Sequence, residues 1–230
     1  MTYKNLNTEQ KKLFYDMLCG FIMPQRKELI EKIIDLRTDR IVPVIENIHK
    51  AQNASAVLRT CDCLGLQDVF VIENNNRFSV TDDISLGANK WLNITKYHSS
   101  ENNTVQCFDD LRKQGYKIVV TMPHKNDTDL QNLDINQKYA LVFGSEVDGI
   151  SPQAEANADG FMKIPMYGFT ESFNISVCAA ITLHYLTDKL RNSAVNWHLS
   201  EEKRIDTLIH WALSGIKTKD KIEKELLKRF

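Results

Sequence analysis

Apolar residues along this chain fall into two alternating rhythms. Leu13, Phe14, Met17 and Leu18 recur at the three- and four-residue spacing of a helix face, with Asn7 or Thr8 placed to cap it. Pro24 stands where a first helical turn tolerates proline, ahead of Leu29, Ile30, Ile33 and Ile34. From Arg40 the rhythm changes. RIVPVIE is short and β-branched, QNASAVLRTCDCLG reads as a helix closed by Gly65, and DVFVIE is a second strand. A strand, a helix and a strand in that order form a β-α-β unit, which predicts parallel pairing. The alternation continues with a weaker strand near Ile94–Tyr97, a helix near Val105–Gln114 and the strand KIVVTMP. YALVFG (strand), SPQAEANA (short helix), FMKIPM (strand) and a long helix from about Ser172 to Leu190 follow. Between Trp197 and Phe230 the pattern predicts two more amphipathic helices, the last rich in lysine. The expected architecture is α/β, with a parallel sheet and helical extensions at both ends.

With 230 residues, the chain is long enough for one sizeable domain plus attached helices. Its 43 % hydrophobic and 26 % charged residues are ordinary for a globular protein. No apolar run is long enough for a membrane span, and MTYKNLNTEQKK has no signal-peptide core, so no membrane partner is expected. Cys19, Cys61, Cys63, Cys107 and Cys178 are odd in number and contain no CxxC pair. They predict reduced thiols in a cytoplasm, without a disulfide framework or a zinc site. The six histidines lack the spacing of a zinc helix. The net charge of −1 argues at first against a nucleic-acid partner, but its distribution does not. Residues 1–40 hold eight Lys or Arg against six Asp or Glu, 41–188 eleven against eighteen, and 189–230 ten against six. Basic ends around an acidic centre suit a phosphate backbone held by the extensions.

Three segments carry candidate chemistry. The first runs from Glu46 through Asn47-Ile48-His49-Lys50-Ala51-Gln52-Asn53 to Arg59. Asn53 stands at a good N-cap position, and Arg59 is the sole cation of an otherwise apolar or small helix stretch, where it must reach a partner or solvent. The second is LVFGSEVDGIS, residues 141–151. A strand followed by Gly-x₄-Gly before a helix resembles a phosphate-cradling loop, but Ile150 replaces the P-loop lysine, and Glu146 and Asp148 repel a triphosphate. Such a loop suits a ligand offering hydroxyls, an amine or a positive sulfonium, as S-adenosylmethionine does. The third is IPMYGFTESFNISVCAA, 164–180, in which Ser172 can cap the long helix and Asn174 is left for another purpose. Each segment follows a strand and enters a helix, so the three converge on the edge of an open sheet where α/β proteins bind ligands.

In order and spacing, NASAVLRTCDCLG, LVFGSEVDGIS and IPMYGFTESFNISVCAA resemble the three signature motifs of the SpoU-type (TrmH-like) branch of the SPOUT RNA methyltransferases. The likeness covers about residues 40–190. It implies an α/β fold, a parallel sheet with helices on both faces whose C-terminal part threads a trefoil knot, an exception to the unknotted rule. It divides the chain into an N-terminal helical extension (1–39), the methyltransferase domain (40–190) and a C-terminal helical extension (191–230). It also implies a homodimer with the active site at the subunit interface and S-adenosylmethionine as cofactor, held at Thr121, Gly144, Ile164 and Phe173. By the same likeness Asn53, Arg59, Glu146, Ser172 and Asn174 are the catalytic positions, and no metal is required. Helical ends without a separate N-terminal RNA-binding domain resemble the branch that methylates guanosine-18 of tRNA at its ribose 2′-hydroxyl. That makes tRNA the expected partner, with no DNA. Ala51-Gln52 departs from the Pro-His often found before the asparagine.

The likeness gives Arg59 the character of a base, an uncomfortable role for a group that normally keeps its proton. Two readings stand. Either its surroundings perturb Arg59, with Ser172 assisting, or the guanidinium stays charged and positions a phosphate that helps take the proton. The alternatives for the whole chain are a ribosomal-RNA 2′-O-methyltransferase and an RNA-binding paralogue without turnover.

Overall fold

We describe a computed structural model of the protein, covering residues 2–122 and 128–230. Its helices and strands, in chain order, are α1 (Thr8–Cys19), α2 (Pro24–Ile34), β1 (Ile41–Glu46), α3 (Ala51–Cys63), β2 (Asp68–Ile72), α4 (Asp82–Ser85), β3 (Asn93–Tyr97) and α5 (Asn103–Lys113). There follow β4 (Tyr116–Thr121), β5 (Thr128–Asp129), β6 (Lys138–Phe143), α6 (Pro152–Ala156), β7 (Gly160–Lys163), α7 (Ile175–Arg191), α8 (Glu201–Ser214) and α9 (Lys219–Leu227). All the elements expected from the pattern of residues are present. The pattern missed α4 and β5, both too short for a period to register. Pro123, the last residue of the expected KIVVTMP strand, lies outside the described residues. The chain separates into two compact units, Thr38–Trp197 and the combination of the residues up to Arg37 with His198–Phe230.

The larger unit is built on a seven-stranded sheet in the order β3-β2-β1-β6-β4-β7-β5, and each neighbouring pair is parallel. Successive side chains on a strand point to opposite faces, so the alternation along each strand divides the core in two. Ile41, Ile45, Val69, Val71, Leu141 and Phe143 pack with Val57 and Leu58 of α3 and with Ala179, Leu183 and Leu186 of α7. Val42, Val44, Phe70, Ile72, Ala140 and Val142 pack with Cys107, Phe108 and Leu111 of α5 and Ala154 of α6. Burial on both faces explains why β1 and β6 read as nearly unbroken apolar runs. β2 and β3 lie on one side of β1, and β6, β4, β7 and β5 on the other. The crevice beyond the carboxyl ends of β1 and β6 is therefore the topological switch point, the usual ligand position of an open parallel sheet.

The smaller unit is helical. Asn7 caps α1 in a reciprocal capping box with Gln10, and Pro24 opens α2. Phe14, Leu18, Ile30 and Ile34 are buried with Ile205, Leu208, Ile209 and Trp211 of α8. Lys11, though buried, keeps a partner in Asp206 at 2.8 Å. Arg37 does not contribute to a free basic surface: it is buried, with its guanidinium 5.0 Å from the centre of the Trp211 ring. Arg40, in the larger unit, is half-buried and donates to the Asn136 carbonyl. Lys217, Lys219, Lys221, Lys224, Lys228 and Arg229 are all exposed, while Leu226 and Leu227 of α9 are buried. No helix among the described residues is long and apolar enough to cross a membrane.

Candidate active site

The segment leaving β1 turns sharply at Asn47, whose φ of 51° is in the left-handed region that asparagine tolerates better than most residues. Its side-chain oxygen accepts from the backbone N–H groups of Asn74 and Asn75, which fixes the turn. The chain then enters α3 at Ala51, with Lys50 at the cap position. Asn53 is thus the third helical residue and not the cap. This frees its carboxamide, whose Nδ2 donates to Glu146 Oε1 at 2.6 Å. The backbone N–H groups of His49 and Lys50 donate to the same carboxylate at 2.9 and 3.3 Å. Partial burial pushes the Glu146 carboxyl up, but the donors at Asn53, His49, its own backbone and Lys50 outweigh it and hold the group below the usual carboxylate range. A carboxylate so occupied is an anchor and a poor proton acceptor.

Ser172 does not cap α7. Asn174 does, its Oδ1 accepting from Ser176 N at 2.9 Å and Ser176 Oγ at 2.7 Å. A carboxamide also carries donors, and Asn174 Nδ2 reaches Asn53 Oδ1 at 3.4 Å. Glu146, Asn53 and Asn174, one from each of the three segments, therefore form a single hydrogen-bonded row.

Beside that row lies a cavity of about 480 Å³. Thr121, Gly144, Ile164 and Phe173 all line it, as do Glu146 and Ser172. Between Gly144 and Ile150 the loop closes tightly, with Ser145 and Gly149 exchanging both backbone hydrogen bonds at 2.8 and 3.1 Å and Gly149 at φ +69°. A Cβ on Gly144 would lie 2.3 Å from the Gly149 carbonyl oxygen, so only glycine fits. The walls are largely apolar at Met162, Ile164 and Ile175, with acids at Glu146, Asp148 and Glu171 and a cation at Lys163. These residues fit S-adenosylmethionine, which presents an adenosine to apolar surface and a positive sulfonium that acids favour. Cys178 also lines the cavity. Burial pushes its thiol up to about 11, so at neutral pH it is no thiolate nucleophile.

Arg59 is not part of this group. It lies six residues beyond Asn53 on α3, about 9 Å along the axis and roughly 120° around it. It is exposed, and its guanidinium has no hydrogen bond or ion pair to a described residue. Nor does any cluster of three or more His, Cys, Asp or Glu among the described residues have a metal-holding arrangement. Sequence reasoning gave no role to Glu46, which proves to be fully buried and accepts from Thr104 and Ser151. The available signal was a lone carboxylate closing an apolar strand, where a charge must find partners.

Residues 40–184 match the SpoU rRNA methylase family. This chain belongs to the SpoU family. Among its relatives, the tRNA (guanosine(18)-2′-O)-methyltransferase of Borreliella burgdorferi is 40 % identical over 207 residues, spanning 90 % of this chain and 93 % of the relative. The enzyme of the same name from Thermus thermophilus is 32 % identical over 69 % of this chain and 79 % of its own. The crystal structure of the A. aeolicus TrmH/SpoU tRNA modifying enzyme superposes with a TM-score of 0.72 at 28 % identity, covering 82 % of this chain and 95 % of that one. The SpoU match spans all three motif segments, which are the segments joined at the switch point.

Proposed function

We propose that this SpoU protein is an S-adenosylmethionine-dependent tRNA methyltransferase acting on the ribose 2′-hydroxyl of guanosine-18. One observation carries the reading: the row from Glu146 through Asn53 to Asn174 meets, at Glu146, the cavity that Thr121, Gly144, Ile164 and Phe173 share. The relatives named for guanosine-18 of tRNA support the choice of substrate. When bound, S-adenosylmethionine supplies an electrophilic methyl group.

The chain's own residues do the rest. Glu146 fixes the carboxamide plane of Asn53, and Asn174 holds its other end, so the row presents a preset surface to the ribose. Ser172, exposed on the cavity wall, is free to hydrogen-bond the attacking hydroxyl. Arg59 is exposed and its planar fork of N–H donors matches a phosphate, which favours it as the holder of an RNA phosphate. We place Arg59 in the active site of a partner subunit. The homodimer this requires is supported by an uncovered apolar surface, Val177, Ile181 and Tyr185 along α7 with Phe173 at its start. The trefoil knot is part of the same proposal.

Incubating the protein with labelled S-adenosylmethionine and tRNA, and mapping 2′-O-methyl groups, tests the function. The label is expected at guanosine-18. Label confined to ribosomal RNA would favour the ribosomal enzyme, and absence of label with intact RNA binding would favour a paralogue without turnover.

A further inference from the structure

We propose that Glu46 is a positioning residue for methyl transfer, acting through the 144–151 loop; the inference rests on reading the cavity as the cofactor site. Glu46 ends β1 with 0 % exposure. A carboxylate there is costly unless donors surround it, and three do. Thr104 Oγ1 donates at 2.7 Å, Ser151 N at 3.0 Å and Ser151 Oγ at 2.7 Å. Two of the three come from the residue that closes the 144–151 loop and caps α6.

The partner loop returns the grip. Glu146, within 144–151, accepts from the backbone of His49 and Lys50, just beyond Glu46 in the chain. Each loop thus contributes the carboxylate that holds the other's backbone. Between the two anchors lie Asp148, Gly149 and Ile150, which line the cavity, and the Gly149 carbonyl packs on Gly144. A segment pinned at both ends loses little freedom when a ligand arrives, so more of the contact energy appears as affinity. Glu46 does not line the cavity, and its hydrogen bonds to the 144–151 loop are those from Ser151.

A structural tie alone would alter melting temperature and nothing else, which separates the two roles. Glu46→Ala removes the grip. Glu46→Gln keeps an oxygen for the Ser151 N–H and offers its NH₂ to the two hydroxyls, which can rotate to accept. Thr104→Val removes the donor on α5 and leaves the loop's own bonds intact. Calorimetry with S-adenosylhomocysteine on the full chain, beside a thermal melt and a KM and kcat determination, decides the matter. Glu46→Ala is expected to bind about tenfold more weakly, with KM for the cofactor raised more than kcat is lowered. Glu46→Gln should stay within about threefold of the parent, and Thr104→Val should melt earlier yet bind normally. If Glu46→Ala does not fold, Ser151→Ala replaces it, with a loss of about threefold expected. Parental affinity in Glu46→Ala or in its replacement, or an equal loss in Thr104→Val, overturns the proposal. A parent protein that binds no S-adenosylhomocysteine overturns the reading of the cavity instead.

Discussion

At the scale of single residues, the site is defined by groups that cannot be exchanged for near neighbours. Gly144→Ala drives a methyl group into backbone, which cannot swing aside as a side chain could. It should cost about 3 kcal/mol, seen as a lowered melting temperature, together with loss of S-adenosylhomocysteine binding. Glu146 gives a pH signature. Its folded-state pKa is depressed, so its contribution to stability is present above the ordinary carboxylate range and is lost as pH falls through the folded value. Melting the parent and Glu146→Gln in parallel should show their largest separation at neutral pH, with the curves converging in acid. A gap that widens as pH falls would contradict the direction of the shift. The asparagines behave differently from serine here because a carboxamide donates and accepts through two separate atoms, whereas a hydroxyl does both through one. That is how Asn174 caps a helix and touches Asn53 at once.

At the scale of elements, α7 separates capping from chemistry. Asn174→Ala should destabilise by about 1 kcal/mol in denaturant unfolding, whereas Ser172→Ala should be neutral. Asn174→Ser should recover the stability without the activity, since a serine hydroxyl cannot span from Ser176 to Asn53. The same helix shows where sequence reading stopped. Periodicity identified its apolar face, and the SpoU likeness identified Ser172 and Asn174, but the cap was assigned to Ser172 because either residue is a good cap and spacing does not fix where a helix begins. The backbone made the choice by starting α7 at Ile175. At α3 the error ran the other way: the helix begins two residues before Asn53, so the expected cap became a side chain free to meet Glu146. The strands, their parallel pairing and the convergence of the three loops were legible because each follows from strand–helix alternation, whereas Thr121, Gly144, Ile164 and Phe173 were reached through the SpoU likeness and the order of the strands was not read at all. The grip of Glu46 on Ser151 was not legible, because it joins residues 105 positions apart through loop conformation alone.

For the whole molecule, the proposed placing of Arg59 in a partner's site would divide the labour between two subunits. Arg59→Ala and Glu146→Gln should each be inactive as homodimers. If Arg59 serves its partner's cavity, unfolding and refolding them together should restore up to about a quarter of the parental activity, because half the dimers then carry one intact site. No recovery would mean that Arg59 acts within its own subunit. The lysines of α9 and its approach are best tested by substitution, because Leu226 and Leu227 help form the helical unit's core and truncation would remove them. Replacing Lys217, Lys219, Lys221 and Lys224 with glutamine should leave melting and cofactor affinity unchanged. It should also flatten the salt dependence of tRNA binding by roughly 0.7–0.9 in slope for each phosphate no longer neutralised. An unchanged slope would leave these residues as a solvated face. Finally, the cavity has unequal walls. The 144–151 wall is tied by carboxylates and paired amides, whereas residues 166–173, with Tyr167 and Phe169 fully in solvent, make no hydrogen bond to any described residue. Entry and departure of the nucleoside should therefore be timed by one wall only. In deuterium exchange the amides of 166–173 should label within seconds in the free protein and slow on adding S-adenosylhomocysteine, while the paired amides of Ser145 and Gly149 stay slow in both states.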